Sequence, residues 1–264
     1  MAAHVWGLPP AQPTLRDGEI HVWRVWPDAS PASVETFAAT LEAILSADER
    51  ARAAAYCFDR DRLRFIFCRG ALRTLLSDYT GIAARHLVFC YGRWGKPALT
   101  PACGGDTLAF NVAHTHGLAL IAVTRARRVG VDVERIRPEV NCEEIAARFF
   151  APGEVAALRA LPRQARRAAF FACWTRKEAY IKACGEGLSL PLDRFEVSAA
   201  ADAPAQLLAV EGRAEEAARW YLQDLCVGDG YAAALAVEGA SGRLCCWDLS
   251  EDRVWRYSAG QRRK

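Results

Sequence analysis

The residues best suited to chemistry in this sequence are two carboxylates in the segment Gly-Val-Asp-Val-Glu at 130–134. Alternate side chains of a β-strand point to the same face, so Asp132 and Glu134 would share one face and both valines the other. Adjacent carboxylates repel each other unless a cation lies between them, and oxygen ligands suit magnesium. Two solvated acids on an exposed strand would give the same pattern, so the motif alone leaves both interpretations open.

A second charged motif, Trp-Thr-Arg-Lys-Glu-Ala-Tyr-Ile-Lys, lies in a predicted helix at 174–182. Glu178 and Lys182 are four residues apart and therefore share one helix face. A carboxylate and an ammonium there could bind a metal and a phosphate together, whereas the alternative is an ordinary surface ion pair. The glycines and proline at 185–191 require a particular loop directly after the helix, which favours a site.

A histidine and several basic residues are suited to binding phosphate. His114 lies where a predicted strand enters a loop, and Lys96 lies in a Gly-Lys-Pro turn. Arg52 and Arg64 lie on an early basic helical segment, and arginine forks and lysine charges suit a phosphomonoester. A merely hydrogen-bonded histidine and a solvated basic face are the alternatives.

The elements that must position these residues alternate twice between helix-rich segments and strand clusters. The predicted helices are Ser33–Leu45, Ser46–Tyr79, Glu143–Phe150, Pro152–Leu161 and Arg163–Ala183. The predicted strands are Glu19–Trp26, one beginning near Leu87, Thr107–Val112, Leu118–Thr124, Val129–Glu134, Arg194–Ser198, Gln206–Glu211, Trp220–Val227 and Ala232–Val237. The segments 117–123 and 230–237 resemble each other and each follows a strand, which favours two similar α/β halves over one barrel.

Composition limits the class of protein. The 264 residues are 52% apolar and 25% charged, as in one large globular domain or two small ones. A net charge of only +3 favours neither a nucleic acid nor a membrane as partner. The first residues do not resemble a leader and no segment has the length of a membrane span, so we expect a cytoplasmic protein. The ten cysteines form no CxxC pair, which predicts free thiols.

Five motifs, in this order, resemble those of the 4′-phosphopantetheinyl transferases of the larger, surfactin-synthetase-activating type. They lie at 95–97, 110–115, 130–134, 149–154 and 174–191, within a likeness that runs from about Leu45 to Val197. The resemblance implies an α+β fold of two similar, pseudo-twofold α/β halves, each a small sheet with packed helices. The implied halves are 1–128 and 129–238, followed by a C-terminal extension, 239–264, that has no motif and is typical of a mobile tail.

The resemblance also implies an enzyme that transfers the 4′-phosphopantetheine of coenzyme A to a serine of an apo acyl or peptidyl carrier protein and releases 3′,5′-ADP. We expect this enzyme to be a monomer. Asp132, Glu134 and Glu178 would hold Mg²⁺ against the pyrophosphate of coenzyme A, with Lys182 on the same phosphates. The implied catalytic residues are Glu178, Lys182 and Glu154, the last as base for the serine, with a metal-bound water as the alternative base. The remaining implied coenzyme contacts are Arg52, Arg64, Gly95, Lys96, Pro97, His114 and Thr115.

The sequence departs from the bacterial prototype at two places. Ala113 replaces a serine, so a hydroxyl contact to phosphate is lost or moves to Thr115. Glu49 and Arg52 replace lysines, so the resemblance does not fix the contacts to the 3′-phosphate. An apolar patch at 149–161 is the predicted docking surface for the carrier. A metal-dependent phosphohydrolase acting on a nucleotide and a non-catalytic coenzyme A- or carrier-binding module remain the alternatives.

Overall fold

The computed structural model describes residues 6–26, 38–200 and 202–249 of the chain. Its helices are α1 (Ala47–Ala54), α2 (Asp59–Thr80), α3 (Cys142–Phe149), α4 (Pro152–Ala160), α5 (Arg163–Cys184) and the single turn α6 (Ala214–Ala217). Its strands are β1 (Glu19–Val25), β2 (Phe89–Tyr91), β3 (Pro97–Leu99), β4 (Leu108–Thr115), β5 (Leu118–Arg125), β6 (Val129–Arg135), β7 (Phe195–Val197), β8 (Leu207–Val210), β9 (Trp220–Asp224), β10 (Tyr231–Glu238) and β11 (Arg243–Asp248).

The two halves of the described chain have the same order of elements. In each half a first strand is followed by a 22-residue helix (α2 or α5), a small two-stranded sheet and two long strands. The last long strand pairs with both the first strand and the one before it, giving the orders β11-β1-β5-β4 and β6-β10-β9. The prediction of an α+β fold with two similar halves is confirmed.

Three apolar clusters stack these elements in four layers, helix on sheet on sheet on helix. Because side chains alternate along each strand, one face of each sheet packs on its own long helix and the other face packs on the second sheet. Val129, Val131 and Val133 of β6 lie in the shared central cluster. Burying each valine side chain stabilises the fold by roughly 1.5–3 kcal/mol, so the halves pack as one body. The boundary near residue 128 stays a prediction.

Two predicted elements differ from the structure. The helical segment 46–79 is interrupted at 55–58, because Phe58 is extended and caps a new helix that has Asp59 and Asp61 in its first turn. Of the helix predicted at 33–45, residues 38–42 are helical and 33–37 lie outside the described residues. The ten cysteines are free, as predicted. Among the described residues, no helix has both the length and the apolar character needed to cross a membrane.

The expectation of a tail beginning at residue 239 is wrong for residues 243–248, which form β11. This strand runs parallel to β1, and Arg24 Nε lies 2.7 Å from Asp248 Oδ1 across the pair. Pairing partners so distant along the chain leave no local sequence signal, which is why the strand was missed. The remainder of that extension, 250–264, lies outside the described residues.

Candidate active site

The site begins where α5 approaches β6 closely at Gly130. A Cβ on this residue would lie 2.1 Å from the carbonyl oxygen of Ala179 and 2.3 Å from the backbone nitrogen of Ala183, closer than side chains allow. Only glycine therefore fits. Asp132 and Glu134 follow at two-residue intervals, so they point to the same side of the strand, toward α5.

Lys182 of α5 binds Asp132 directly. Its Nζ lies 2.7 Å from Asp132 Oδ1, and the aspartate is 4% exposed. Burial raises the pKa of Asp132, and the lysine ammonium opposes that rise. Asp132 Oδ2 is buried without a hydrogen-bond partner among the described residues. An unsatisfied buried acceptor costs about 1–3 kcal/mol, so this oxygen is suited to a ligand that the protein itself does not contain.

Two half-buried carboxylates lie beside this pair. Burial raises the pKa of Glu178, and the charges of Asp132 and Glu134 raise it further. Burial and then Asp132 raise the pKa of Glu134, whereas Arg137 and Lys182 lower it. The three acids therefore repel one another in partly dehydrated surroundings, a repulsion that a cation would relieve. In the described part of the chain, no three or more His, Cys, Asp or Glu side chains are already gathered closely enough to hold a metal.

A cavity of about 510 Å³ opens beside Glu134. Its lining is formed by Thr115, His116, Glu134, Arg135, Ile136, Arg137, Pro138 and Glu139. This volume lies in the range of small-molecule sites, and the lining carries both acidic and basic groups. Glu134 is thus accessible to a ligand from this side.

Basic side chains of the N-terminal half face the same region. Loss of hydration lowers the pKa of His114, and the charges of Lys182, Arg64 and Arg52 lower it further. Arg52 also lies over the ring of Phe65 at 5.4 Å. The permanent positive charges of Lys182, Arg64 and Arg52 therefore all act on His114, and an anionic ligand would stabilise this positive cluster.

Lys96 fastens the β2–β3 hairpin to the other half. Its Nζ donates to the carbonyl oxygens of Val129 at 2.9 Å and Ala183 at 3.1 Å, and burial lowers its pKa to about 8. Gly95 has the φ of +80° that the turn requires, and Pro97 begins β3. Two of the three N–H bonds of Lys96 are thus used within the protein, and its contact with a phosphate stays a prediction.

The structure does not bring Glu154 into this site. Glu154 is 2% exposed, and its Oε2 accepts from Ala151 N at 2.9 Å. Its Oε1 accepts from Val197 N at 2.8 Å and lies 2.7 Å from Nζ of the fully buried Lys177. A base for an incoming serine needs an accessible oxygen within hydrogen-bond reach. In this structure the carboxylate of Glu154 joins α4 to α5 and β7, and its role as the base stays a prediction.

The departures from the family pattern have structural explanations. Ala113 is 3% exposed in the central cluster, so residue 113 offers no contact to a phosphate. The hydroxyl of Thr115 lies 3.5 Å from Glu134 Oε2. Glu49 is 2% exposed and its Oε2 accepts from Arg73 at 2.6 Å, so it is a core ion pair rather than part of a phosphate pocket. The Ser-x-x-Glu capping box formed by Ser46 and Glu49 is the sequence signal that Glu49 has a structural role.

Two buried polar contacts were missed in the sequence. Asn111 Oδ1 accepts from the backbone N–H of Val131 at 2.9 Å, which joins β4 to β6. Arg176, fully buried within the charged helical motif, donates from Nε to Asp224 Oδ1 at 2.9 Å. A single polar residue in an apolar strand or helix has no periodic signature, and no local pattern reveals its distant partner.

Comparison of the sequence with known proteins agrees with the resemblance that the motifs indicate. The sequence model described as the 4′-phosphopantetheinyl transferase superfamily matches residues 128–236. The chain is 38% identical over 247 residues to the 4′-phosphopantetheinyl transferase HetI of Nostoc sp., which covers 94% of this chain and 99% of that protein. It is 29% identical over 153 residues to the 4′-phosphopantetheinyl transferase Sfp of Bacillus subtilis, covering 58% of this chain and 66% of that protein.

Proposed function

The chain belongs to the 4′-phosphopantetheinyl transferase superfamily, and we propose that its reaction takes place at the cluster of Asp132, Glu134, Glu178 and Lys182. The enzyme transfers the 4′-phosphopantetheine moiety of coenzyme A to a serine hydroxyl of an apo carrier protein and releases 3′,5′-ADP. The observation that best supports this location is Asp132 Oδ2, a buried acceptor without a partner among the described residues.

We propose that Asp132, Glu134 and Glu178 hold a magnesium ion in the working enzyme. The donors fit this ion, because they are hard carboxylate oxygens that repel one another and one of them lacks a partner. When bound, magnesium would offset the negative charge of the pyrophosphate of coenzyme A. Lys182, which is already paired with Asp132, would contact the same phosphates and offset the charge that forms on the leaving 3′,5′-ADP.

The positive cluster is proposed to bind the nucleotide end of coenzyme A. The charges of Lys182, Arg64 and Arg52 all act on His114, so an anion there would be attracted by several charges at once. We retain the Gly95-Lys96-Pro97 turn as a further proposed contact, through the remaining donor of Lys96. A phosphate bound to this cluster would raise the lowered pKa of His114 again and favour its charged form.

With Glu154 buried and paired, we propose Glu178 as the acceptor of the serine proton. It makes no hydrogen bond or ion pair with any residue that the structure describes, so one of its oxygens can bind magnesium while the other accepts a proton. Glu178 takes the proton as the serine oxygen attacks the β-phosphorus. The bond from that phosphorus to the bridging oxygen breaks, and its electron pair leaves with 3′,5′-ADP.

The proposed carrier contact is narrower than the patch expected at 149–161. Phe149 is 42% exposed, whereas Phe150 and Leu158 are 4% and 6% exposed. We therefore propose Phe149, at the end of α3, as the apolar contact for a carrier protein. The cytoplasmic location and the monomeric state remain proposals that rest on the sequence.

Transfer to a carrier is the direct test. The wild type, Asp132→Asn and Glu178→Gln are each incubated with coenzyme A, magnesium and a panel of apo carrier proteins, and the carriers are weighed by mass spectrometry. We expect the wild type to modify carriers and both variants to lose transfer. Glu215→Gln, at an exposed acid of α6, is the matched control and should keep wild-type transfer.

Three outcomes would refute parts of the proposal. Undiminished transfer by Asp132→Asn or Glu178→Gln would exclude the proposed site. Incubation with coenzyme A alone identifies a phosphohydrolase, which would release products without a carrier. Carriers that stay unmodified in the mass spectrum, although coenzyme A binds, would identify a binding module.

A further inference from the structure

β6, the strand that carries Asp132 and Glu134, has one edge without a strand partner. Among the described strands it pairs only with β10, and its other edge lies against β4 of the N-terminal half. Val131, in the middle of β6, is fully buried. Its N–H is therefore shielded from water, and a buried N–H without an acceptor costs about 1–3 kcal/mol.

Asn111 of β4 satisfies this N–H with its side chain. Asn111 is 5% exposed, and its Oδ1 accepts from Val131 N at 2.9 Å. Because a backbone N–H can pair only with an acceptor, the carboxamide oxygen rather than its nitrogen must face β6. At the more exposed end of the same edge, Thr115 Oγ1 accepts from Arg135 N at 3.3 Å. Side chains of β4 thus replace the ladder of a neighbouring strand, and Asn111 makes the buried contact.

The location of this hydrogen bond connects it to the active site. Val131 lies between Gly130, where α5 touches the strand, and Asp132, which pairs with Lys182. Asn111 lies three residues before His114 on β4. One buried bond therefore links the strand that carries the carboxylates to the strand that carries the histidine.

We propose that Asn111 is a positioning residue of the transferase. Its carboxamide fixes Asp132 and Glu134 of one half relative to His114 of the other, so that a single coenzyme A can contact both sets of residues. This inference rests on the proposed function, because it assumes that both sets bind the same ligand. A displacement of about 1 Å at a reacting centre can lower a rate by roughly 100-fold, so a bond of this kind matters for catalysis as well as for stability.

The test compares Asn111→Leu, which removes the acceptor at similar volume, with Asn111→Asp, which keeps an acceptor oxygen. Amide hydrogen exchange of residues 129–135, kcat and KM for coenzyme A, and the magnesium concentration at half-maximal rate are measured. We expect Asn111→Leu to exchange faster in this segment, to lose roughly 10- to 100-fold in kcat/KM and to need more magnesium. Asn111→Asp should recover at least part of each loss.

Asn141→Ala is the matched control. Asn141 also accepts a backbone N–H with its side chain, from Glu144 at 3.4 Å, but it caps α3 and does not lie between the halves. We expect this variant to lose some thermal stability and to keep wild-type kinetics and magnesium dependence. An equal kinetic loss in Asn141→Ala would show that general destabilisation explains the effect and would overturn the proposal.

Wild-type kcat/KM and magnesium dependence in folded Asn111→Leu, with faster exchange at 129–135, would also overturn the positioning role. If that variant does not fold, Asn111→Ser replaces it, because its shorter side chain withdraws the oxygen from Val131. Calorimetric binding of coenzyme A without a carrier separates the two proposals. If the wild type modifies no carrier, the proposed function fails. Unchanged coenzyme A affinity in the Asn111→Leu variant, or in Asn111→Ser where that replaces it, would refute the role of Asn111 separately.

Discussion

Replacing Gly130 by alanine tests the contact that forms the active site. The new Cβ would lie 2.1 Å from the Ala179 carbonyl oxygen, whereas real Cβ contacts are essentially never shorter than 3.0 Å, so α5 and β6 must separate by about 0.9 Å. Overpacking of this kind costs about 1–3 kcal/mol. For a protein of this size that corresponds to a decrease in Tm of roughly 2–12 °C, which leaves most of the protein folded at room temperature.

The same separation acts on the reaction. Lys182 and Glu178 are carried by α5 and Asp132 by β6, so the 2.7 Å contact of Lys182 Nζ with Asp132 Oδ1 would lengthen or break. A misplacement of about 1 Å can cost roughly 100-fold in rate. We therefore expect Gly130→Ala to lower kcat for phosphopantetheine transfer by roughly 10- to 100-fold, beyond the loss from unfolded protein.

The assay pairs thermal unfolding with transfer to a carrier protein at a temperature where the variant is folded. Gly153→Ala is the control, because its Cβ would meet only the mobile carboxylate end of Glu196, at 3.3 Å. This control should keep its Tm and kcat near wild type. Wild-type values of both quantities in Gly130→Ala would refute the reasoning, since α5 would then not lie against β6 as described.

Three further predictions concern the carboxylates. Burial and neighbouring acids raise the pKa of Glu178, so its ionised form destabilises the fold as pH rises through that pKa. Glu178→Gln should therefore raise Tm in magnesium-free buffer at pH 8. A lower Tm in this variant would contradict the prediction. Without metal, Glu134 and Glu178 protonate early, and protons then compete with magnesium for these carboxylates. The magnesium concentration at half-maximal transfer should therefore begin to rise, as pH falls, at a higher pH than an ordinary carboxyl would give; a magnesium requirement that stays constant down to the ordinary carboxyl range would contradict this. Glu154→Gln should lose about 3 kcal/mol in the free energy of unfolding, because the Lys177 ammonium keeps no buried counter-charge. The kcat of the folded variant should stay near wild type. A lost kcat at unchanged stability would instead support Glu154 as the base.

The parts of the fold that the sequence predicts are those with a short-range cause. Alternation placed Asp132 and Glu134 on one face of a strand and the valines of 129–133 on the other. The valines are buried in the central cluster, and Asp132 is buried on the face toward α5. The helix containing Glu178 and Lys182 was also predicted, because four-residue spacing and a following glycine are local signals.

The parts that were missed depend on partners distant along the chain. A motif gives the identity of Glu154 but not the direction of its side chain, which is set by Lys177 and Val197 in the folded core. Asn111 could not be distinguished from an ordinary strand residue, because its role depends on a backbone N–H twenty positions later in another sheet. The division of polar residues into site and scaffold therefore requires the structure.

The parallel pairing of β11 with β1 has a consequence for how the protein is made. Arg24 and Asp248, which face each other across these strands, are 224 residues apart. At a synthesis rate of about 5–20 residues per second, roughly 10–45 s pass on the ribosome between the first of these strands and the last. For that time one edge of β1 is unpaired and open to wrong partners, so the half of the protein that is synthesised first is the half that is completed last.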